Sequence, residues 1–120
     1  MTAIIVMKTY LPKVIVGTGD TQALDPGRPG YVKSPAAALH EALVKFSGLY
    51  VQEGWPPLEI WAPFEGPHTT TVTVQRWESL DAYEEAKKVM ATPEIHSCVN
   101  NDINPNLERY YDEHLFRITA

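Results

Sequence analysis

Four histidines, one cysteine and a set of aromatic and arginine residues carry what chemistry this 120-residue chain can offer. His40 lies on the shoulder of an apolar helical stripe, one turn from Val44. An unperturbed pKa of about 6.5 suits it to work as a general base; the alternative is a half-buried histidine donating to a carbonyl. His96 stands near Cys98 and Asp102. An aspartate can orient an imidazole, but the i to i+6 spacing does not put this pair on adjacent turns of one continuous helix. His68 falls in a turn and His114 follows Asp112-Glu113, so both read as solvated. Cys98 has no neighbouring base, which favours an inert thiol over a nucleophile. Tyr10, Trp61 and Trp77 occur in extended segments, where they are first of all core residues and, in the other reading, walls of an aromatic pocket shared with Tyr83. Arg76 and Arg117 are also in extended segments, where a guanidinium needs a carboxylate or a ligand oxyanion to offset burial. A structural ion pair is the favoured reading for both.

No motif with a fixed mechanism is present: no phosphate-cradling glycine loop, no GxSxG, no HExxH and no CxxC. A single cysteine makes no internal disulfide and no zinc site by itself, and four histidines do not establish a metal or haem site; no metal and no cofactor are expected. Apolar residues make up 44% and charged ones 21%, the balance of an ordinary globular protein, and the length suits one domain spanning residues 1–120. Ten Lys/Arg against 15 Asp/Glu give a net charge of −5. That sign argues against nucleic acid and against anionic membrane surfaces, which need a positive field. No apolar run approaches the roughly 20 residues of a membrane span, and the opening MTAIIV lacks the charged start of a signal peptide. A reducing cytoplasm is the expected location.

The stretch Thr69–Ala91 must position most of these side chains. Thr71, Thr73, Gln75 and Trp77 alternate with Val72, Val74 and Arg76, a period-2 strand pattern. From Ser79 the period becomes helical, with Leu80, Tyr83, Ala86 and Met90 on one stripe, Ser79 as N-cap and Asp81 in the first turn. Before it, Ala3–Tyr10 reads as a first strand that Pro12 interrupts, and Val14–Val16 as a short second run or its resumption. Gly17–Lys33 reads as a long loop of the kind that serves as a lid or binding loop. Ser34-Pro35 opens a helix with Leu39, Leu43, Phe46 and Tyr50 as its core stripe, ended by Gly54. Leu58–Phe64 is the next strand and forms a hairpin with Thr69–Trp77. Thr92-Pro93 and Asn104-Pro105 restart helical turns, through Ile95, Cys98, Val99 and Ile103 and on to Leu107, Tyr110 and Tyr111. His114–Thr119 alternates as the last strand.

The order βαββαβ predicts an α+β, ferredoxin-like fold: a four-stranded antiparallel sheet with both helices on one face. The strands look too apolar on their other side for a solvated face, so a twofold homodimer packing sheet to sheet is expected. The segment VQRWESLDAYEEAKKVMATPEIHSCVNN resembles the third strand and second helix of the dimeric α/β-barrel superfamily, in its NIPSNAP and antibiotic-biosynthesis-monooxygenase-like branches. The likeness rests on Trp77-Glu78-Ser79-Leu80-Asp81 and Ala91-Thr92-Pro93-Glu94. Met7-Lys8-Thr9-Tyr10 resembles the Arg-x-Tyr that opens the first strand in NIPSNAP-like members, with Lys in place of Arg. The resemblance implies a cavity between sheet and helices that takes small hydrophobic organic molecules; some members of the superfamily bind haem.

Three functions fit these observations. The first is a cofactor-independent enzyme of secondary metabolism, performing acid–base cyclisation, isomerisation or dehydration on an aromatic or polyketide-like intermediate. His40 would be its base, His96 a second catalytic candidate, and Tyr10, Trp61, Trp77, Tyr83, Arg76 and Arg117 would bind the substrate. The second is a cofactorless monooxygenase of a phenol, and the third a non-catalytic binding or accessory dimer.

Overall fold

The computed structural model describes residues 3–13, 34–62 and 70–119. The elements are β1 (Ile4–Pro12), α1 (Pro35–Gln52), β2 (Leu58–Trp61), β3 (Thr71–Trp77), α2 (Leu80–Lys87), α3 (Pro93–Cys98) and β4 (Leu107–Arg117), with a π turn over Val99–Ile103 and a 3₁₀ turn over Asn104–Asn106 before β4. The strands form one antiparallel sheet in the order β2-β3-β1-β4. This is the α+β, ferredoxin-like arrangement that the βαββαβ order predicts.

Caps fix the helix starts. Ser34 Oγ accepts from Ala37 N at 3.1 Å, Ser79 Oγ from Ala82 N at 3.1 Å and Thr92 Oγ1 from Ile95 N at 3.2 Å. Each satisfies a backbone donor that the first turn leaves orphaned. Gly54 closes the α1 end with φ at +81°, a conformation that only glycine adopts freely.

Register decides which side chains meet the helices. Ile4 stands opposite Trp77 and Arg117, Val6 opposite Gln75 and Leu115, and Lys8 opposite Thr73 and Glu113. Tyr10 continues this face opposite Thr71, and Leu58 and Ile60 extend it onto β2 through Gln75 and Thr73. Two core clusters lie on it. One joins Tyr10 to Leu39, Leu43, Phe46 and Tyr50 of α1 and to Ile95, Cys98 and Ile103; the other joins Ile4, Val6 and Trp77 to Tyr83 and Ala86 of α2. The reverse face carries Ile5, Met7, Val72, Glu59, Trp61, Arg76 and Phe116.

Several boundaries differ from expectation. The chain is extended from Leu107, so Leu107, Tyr110 and Tyr111 belong to β4 and not to a helical face. The 3₁₀ turn Asn104-Pro105-Asn106 ends the helical run there, and aromatic residues pack well on a pleated strand. Pro12 stays within β1 at a register shift opposite Leu107, a bulge position that tolerates its missing N–H. Helix α2 ends at Lys87, four residues short of the expected Ala91. Leu80 is exposed because it is the first residue after the cap, ahead of the turn that reaches the sheet. Val14–Val16, the Gly17–Lys33 loop and the end of the Leu58–Phe64 strand lie outside the described residues.

Candidate functional site

Where β1 passes between the two core clusters, its buried face carries a lysine instead of an apolar residue. Lys8 is in phase with Ile4, Val6 and Tyr10, and its side chain is 16% exposed. From β4, the carboxylate of Glu113 comes within 4.0 Å of Lys8 Nζ. From α2, the hydroxyl of Tyr83 donates to Glu113 Oε1 at 2.7 Å. A bond this short to a charged acceptor is at the strong end of its class. Thr73, 1% exposed, faces Lys8 from β3. The Tyr83 ring packs edge-on against Trp77 with centroids 5.4 Å apart, and Lys87 Nζ lies 5.6 Å from the Tyr83 ring centre.

Electrostatics set Lys8 apart. Burial pushes its ammonium pKa down, Glu113 pulls it back up, and Lys87 adds to the downward push; the net direction is down. Trp77 is buried, and its Nε1–H has no hydrogen-bond partner among the described residues. An orphaned buried donor of this kind costs about 1–3 kcal/mol. An open cavity of about 300 Å³ borders the cluster, lined by Tyr83, Glu84, Lys87, Lys88 and Leu115. It meets the polar groups at Tyr83, and Leu115 follows Glu113 by two residues on the same side of β4. A carboxylate bridging a phenol and an amine can relay protons between them.

The expected site residues scatter. Trp77 and Tyr83 come together here. Tyr10 shares their sheet face but is sealed in the α1-side cluster at 2% exposure. Trp61, 49% exposed, and Arg76, paired with Glu59 at 3.3 Å, lie on the reverse face. Arg117 is exposed at the end of β4. His40 is exposed on the outer side of α1 and is not brought to the cluster. His96 is also exposed, with Nε2 at 2.8 Å from Asn100 Nδ2, while Asp102 turns to Lys45 at 2.8 Å. Cys98 is buried with its thiol donating to Ala42 O at 3.7 Å, and burial, then Asp102, pushes its pKa up, as suits an inert thiol. Lys8 and Glu113 were not singled out. The signal for Lys8 was its phase, a charged residue on the face of Ile4, Val6 and Tyr10. Among the described residues no group of three or more His, Cys, Asp or Glu stands where it could hold a metal ion, and no helix is long and apolar enough to cross a membrane.

No protein-family model and no curated protein matches this chain. Solved structures do. An uncharacterized NIPSNAP-like domain protein from Burkholderia xenovorans is 16% identical with a TM-score of 0.64, over 98% of this chain and 86% of that one. Rv0793 from Mycobacterium tuberculosis is 14% identical with a TM-score of 0.61, over 98% and 96%. A NIPSNAP family protein of unknown function from Agrobacterium tumefaciens strain C58 is 18% identical with a TM-score of 0.59, over 97% and 87%. At these identities the likeness is one of fold, and it is the fold that the strand–helix resemblance implied.

Proposed function

We propose that this fold, shared with NIPSNAP-family domain proteins, serves here as a cofactor-independent enzyme of small-molecule metabolism. Its reaction is proton transfer on a hydrophobic aromatic or polyketide-like intermediate, as in cyclisation, isomerisation or dehydration. The observation that carries this reading is the 2.7 Å bond from Tyr83 to Glu113, with Lys8 at 4.0 Å on the other carboxylate oxygen. It assembles a donor, a relay and an amine, with the donor, Tyr83, in the wall of a cavity. The base therefore belongs to this cluster and not to His40, which faces outward on α1.

The reading is tested with α-tetralone, a bicyclic aromatic ketone, in D₂O under nitrogen. Exchange of its α-protons followed by NMR is expected to run about 100-fold above buffer, within the range for general acid–base catalysis, and to drop in Tyr83→Phe. No excess exchange in the wild type removes the proposal. Oxygen uptake with a hydroquinone would move the assignment to the monooxygenase reading, and binding without turnover to the accessory one.

The reverse face of the sheet supports a second element of this reading, a homodimer. Trp61 and Phe116 are 49% and 48% exposed there, beside Ile5, Met7 and Val72. A second copy of the same apolar surface across a twofold axis would cover them. Sedimentation at low micromolar concentration should give twice the chain mass, and Trp61→Lys should halve it; a wild-type monomer refutes the dimer.

A further inference from the structure

We infer that the outer edge of β4 pairs antiparallel with the same edge of a second copy, about a twofold axis at Leu115, so that Arg117 of the partner subunit joins the Tyr83–Glu113 cluster. The inference rests on the homodimer reading only in taking a second copy as the occupant.

The two edges of the sheet are not alike. β2 has four residues and follows Pro56-Pro57, a short edge of the kind that resists pairing. β4 has 11, and it is exposed throughout from Asp112 to Arg117. Leu115, Phe116 and the adjoining Ile118 are 45%, 48% and 39% exposed, an apolar run on an open strand. No proline interrupts it, and the register shifts against β1 lie before Asp112. A long, unbroken apolar edge is a template for another strand.

Backbone phase fixes which residues are open. Ile118 N donates to Ala3 O at 3.0 Å, one step beyond the Ile4–Arg117 pair. Antiparallel partners alternate between bonded and unbonded pairs, so Asp112, His114, Phe116 and Ile118 turn their N–H and C=O groups to β1. Glu113, Leu115 and Arg117 turn theirs outward. A twofold axis at Leu115 sets Leu115 against its own copy and Glu113 against Arg117 twice over. An axis at Glu113 or Arg117 would set like charges face to face, and one at His114 or Phe116 would leave both charges unmatched. Opposite charges across strands stabilise a pair and like charges oppose it. Arg117 has no carboxylate partner among the described residues.

This pairing reaches the candidate site. Glu113, Leu115 and Arg117 stand opposite Lys8, Val6 and Ile4, on the helix-covered side of the sheet. The Glu113 side chain is 29% exposed, so a guanidinium arriving from outside can reach it. Leu115 lines the cavity at Tyr83, and its copy across the axis extends that apolar wall. Phe116 belongs to the reverse face as well, so the edge contact is continuous with the one at Trp61 and a single twofold axis serves both.

Disulfide trapping tests the register on the intact protein. Across the inferred axis His114 faces Phe116 as an unbonded pair, with Cα atoms about 4.5 Å apart and within disulfide reach. Two copies of either residue would stand about 8 Å apart, beyond it. Tagged His114→Cys is mixed with untagged Phe116→Cys and oxidised with diamide. The mixed disulfide is expected about tenfold faster than either homodisulfide, with wild type, whose Cys98 is buried, as the silent control. Arg117→Glu should weaken the dimer about fivefold in sedimentation, because it sets like charges opposite one another at two places. No preference for the mixed disulfide, or a dimer unchanged by Arg117→Glu, overturns the inference. If that is found while Trp61→Lys still dissociates a wild-type dimer, the edge contact is wrong and the homodimer stands. If the mixed disulfide forms and Trp61→Lys stays dimeric, the edge contact stands and the reverse-face contact falls.

Discussion

The two clusters on the helix-covered side of the sheet are built differently. Under α1, an 18-residue helix buries Leu39, Ala42, Leu43, Phe46 and Tyr50, and α3 and the π turn close the far side with Ile95, Cys98 and Ile103. Under α2, an eight-residue helix buries only Tyr83 and Ala86 against Ile4, Val6 and Trp77. The first cluster is apolar apart from its tyrosine hydroxyls, of which Tyr50 donates to Met90 Sδ at 3.4 Å. The second borders Lys8 and Glu113 and contains Trp77, whose indole N–H has no partner among the described residues. A long helix can shield its half of the sheet from water, whereas a short one leaves an open edge where charged groups are tolerated. The larger apolar core and the polar cluster thus occupy separate halves of one sheet face.

Removing packing under α1 should have the largest effect. Leu43 is fully buried, and Leu43→Ala is expected to cost about 2–5 kcal/mol, the loss of transfer energy plus the cavity left behind. Urea denaturation followed by circular dichroism measures it through the midpoint at constant slope. A loss well under 1 kcal/mol would mean that the α1 side is not where the fold's stability resides, and the contrast between the halves would fail.

A change under α2 should read out mainly in chemistry. Tyr83→Phe keeps the ring against Trp77 and removes only the hydroxyl that donates to Glu113. The stability loss should be about 1 kcal/mol, because Glu113 is 29% exposed and water can replace part of the bond. Ketone exchange should fall by about 100-fold, the contribution of one positioned acid–base group. Equal, large losses in both would make Tyr83 a packing residue and erase the distinction.

The fold was more legible in the sequence than the site. The alternation through Thr71–Trp77 and the three caps, Ser34, Ser79 and Thr92, are local signals, and each acts within a few residues of itself. Tyr110-Tyr111 continued a helical pattern in the sequence, whereas the chain is extended there within β4, a strand formed by pairing with the distant β1. The candidate site depends on such long-range pairing throughout. Lys8, noted in the sequence only within Met7-Lys8-Thr9-Tyr10, meets Glu113 through the β1–β4 register. Glu113 gains its partner only when the fold brings Tyr83 of α2 to it. His40 shows the same limit from the other side: periodicity puts it at the border between helix faces, and the rotation of α1 that buries Leu39 and Leu43 leaves it exposed.

The smallest effect, visible only as a slope, concerns the protonation of Lys8. Its folded-state pKa lies below the ordinary 10.5, so between the two values the unfolded chain holds a proton that the folded protein has released. With more protons bound to the unfolded state, unfolding free energy rises with pH across that window and falls as pH drops through the folded-state pKa. Below it the fold carries the whole cost of keeping a charged amine at the centre of the sheet. Lys8→Met removes the titrating group. The stability of the variant relative to wild type should therefore be greatest near neutral pH and decline as pH approaches 10.5, whatever constant offset the lost contact with Glu113 adds. Paired urea titrations at several pH values read this difference. A difference that is flat with pH would mean that Lys8 titrates as it does in the unfolded chain, and the polar seam under α2 would then be an ordinary solvated ion pair.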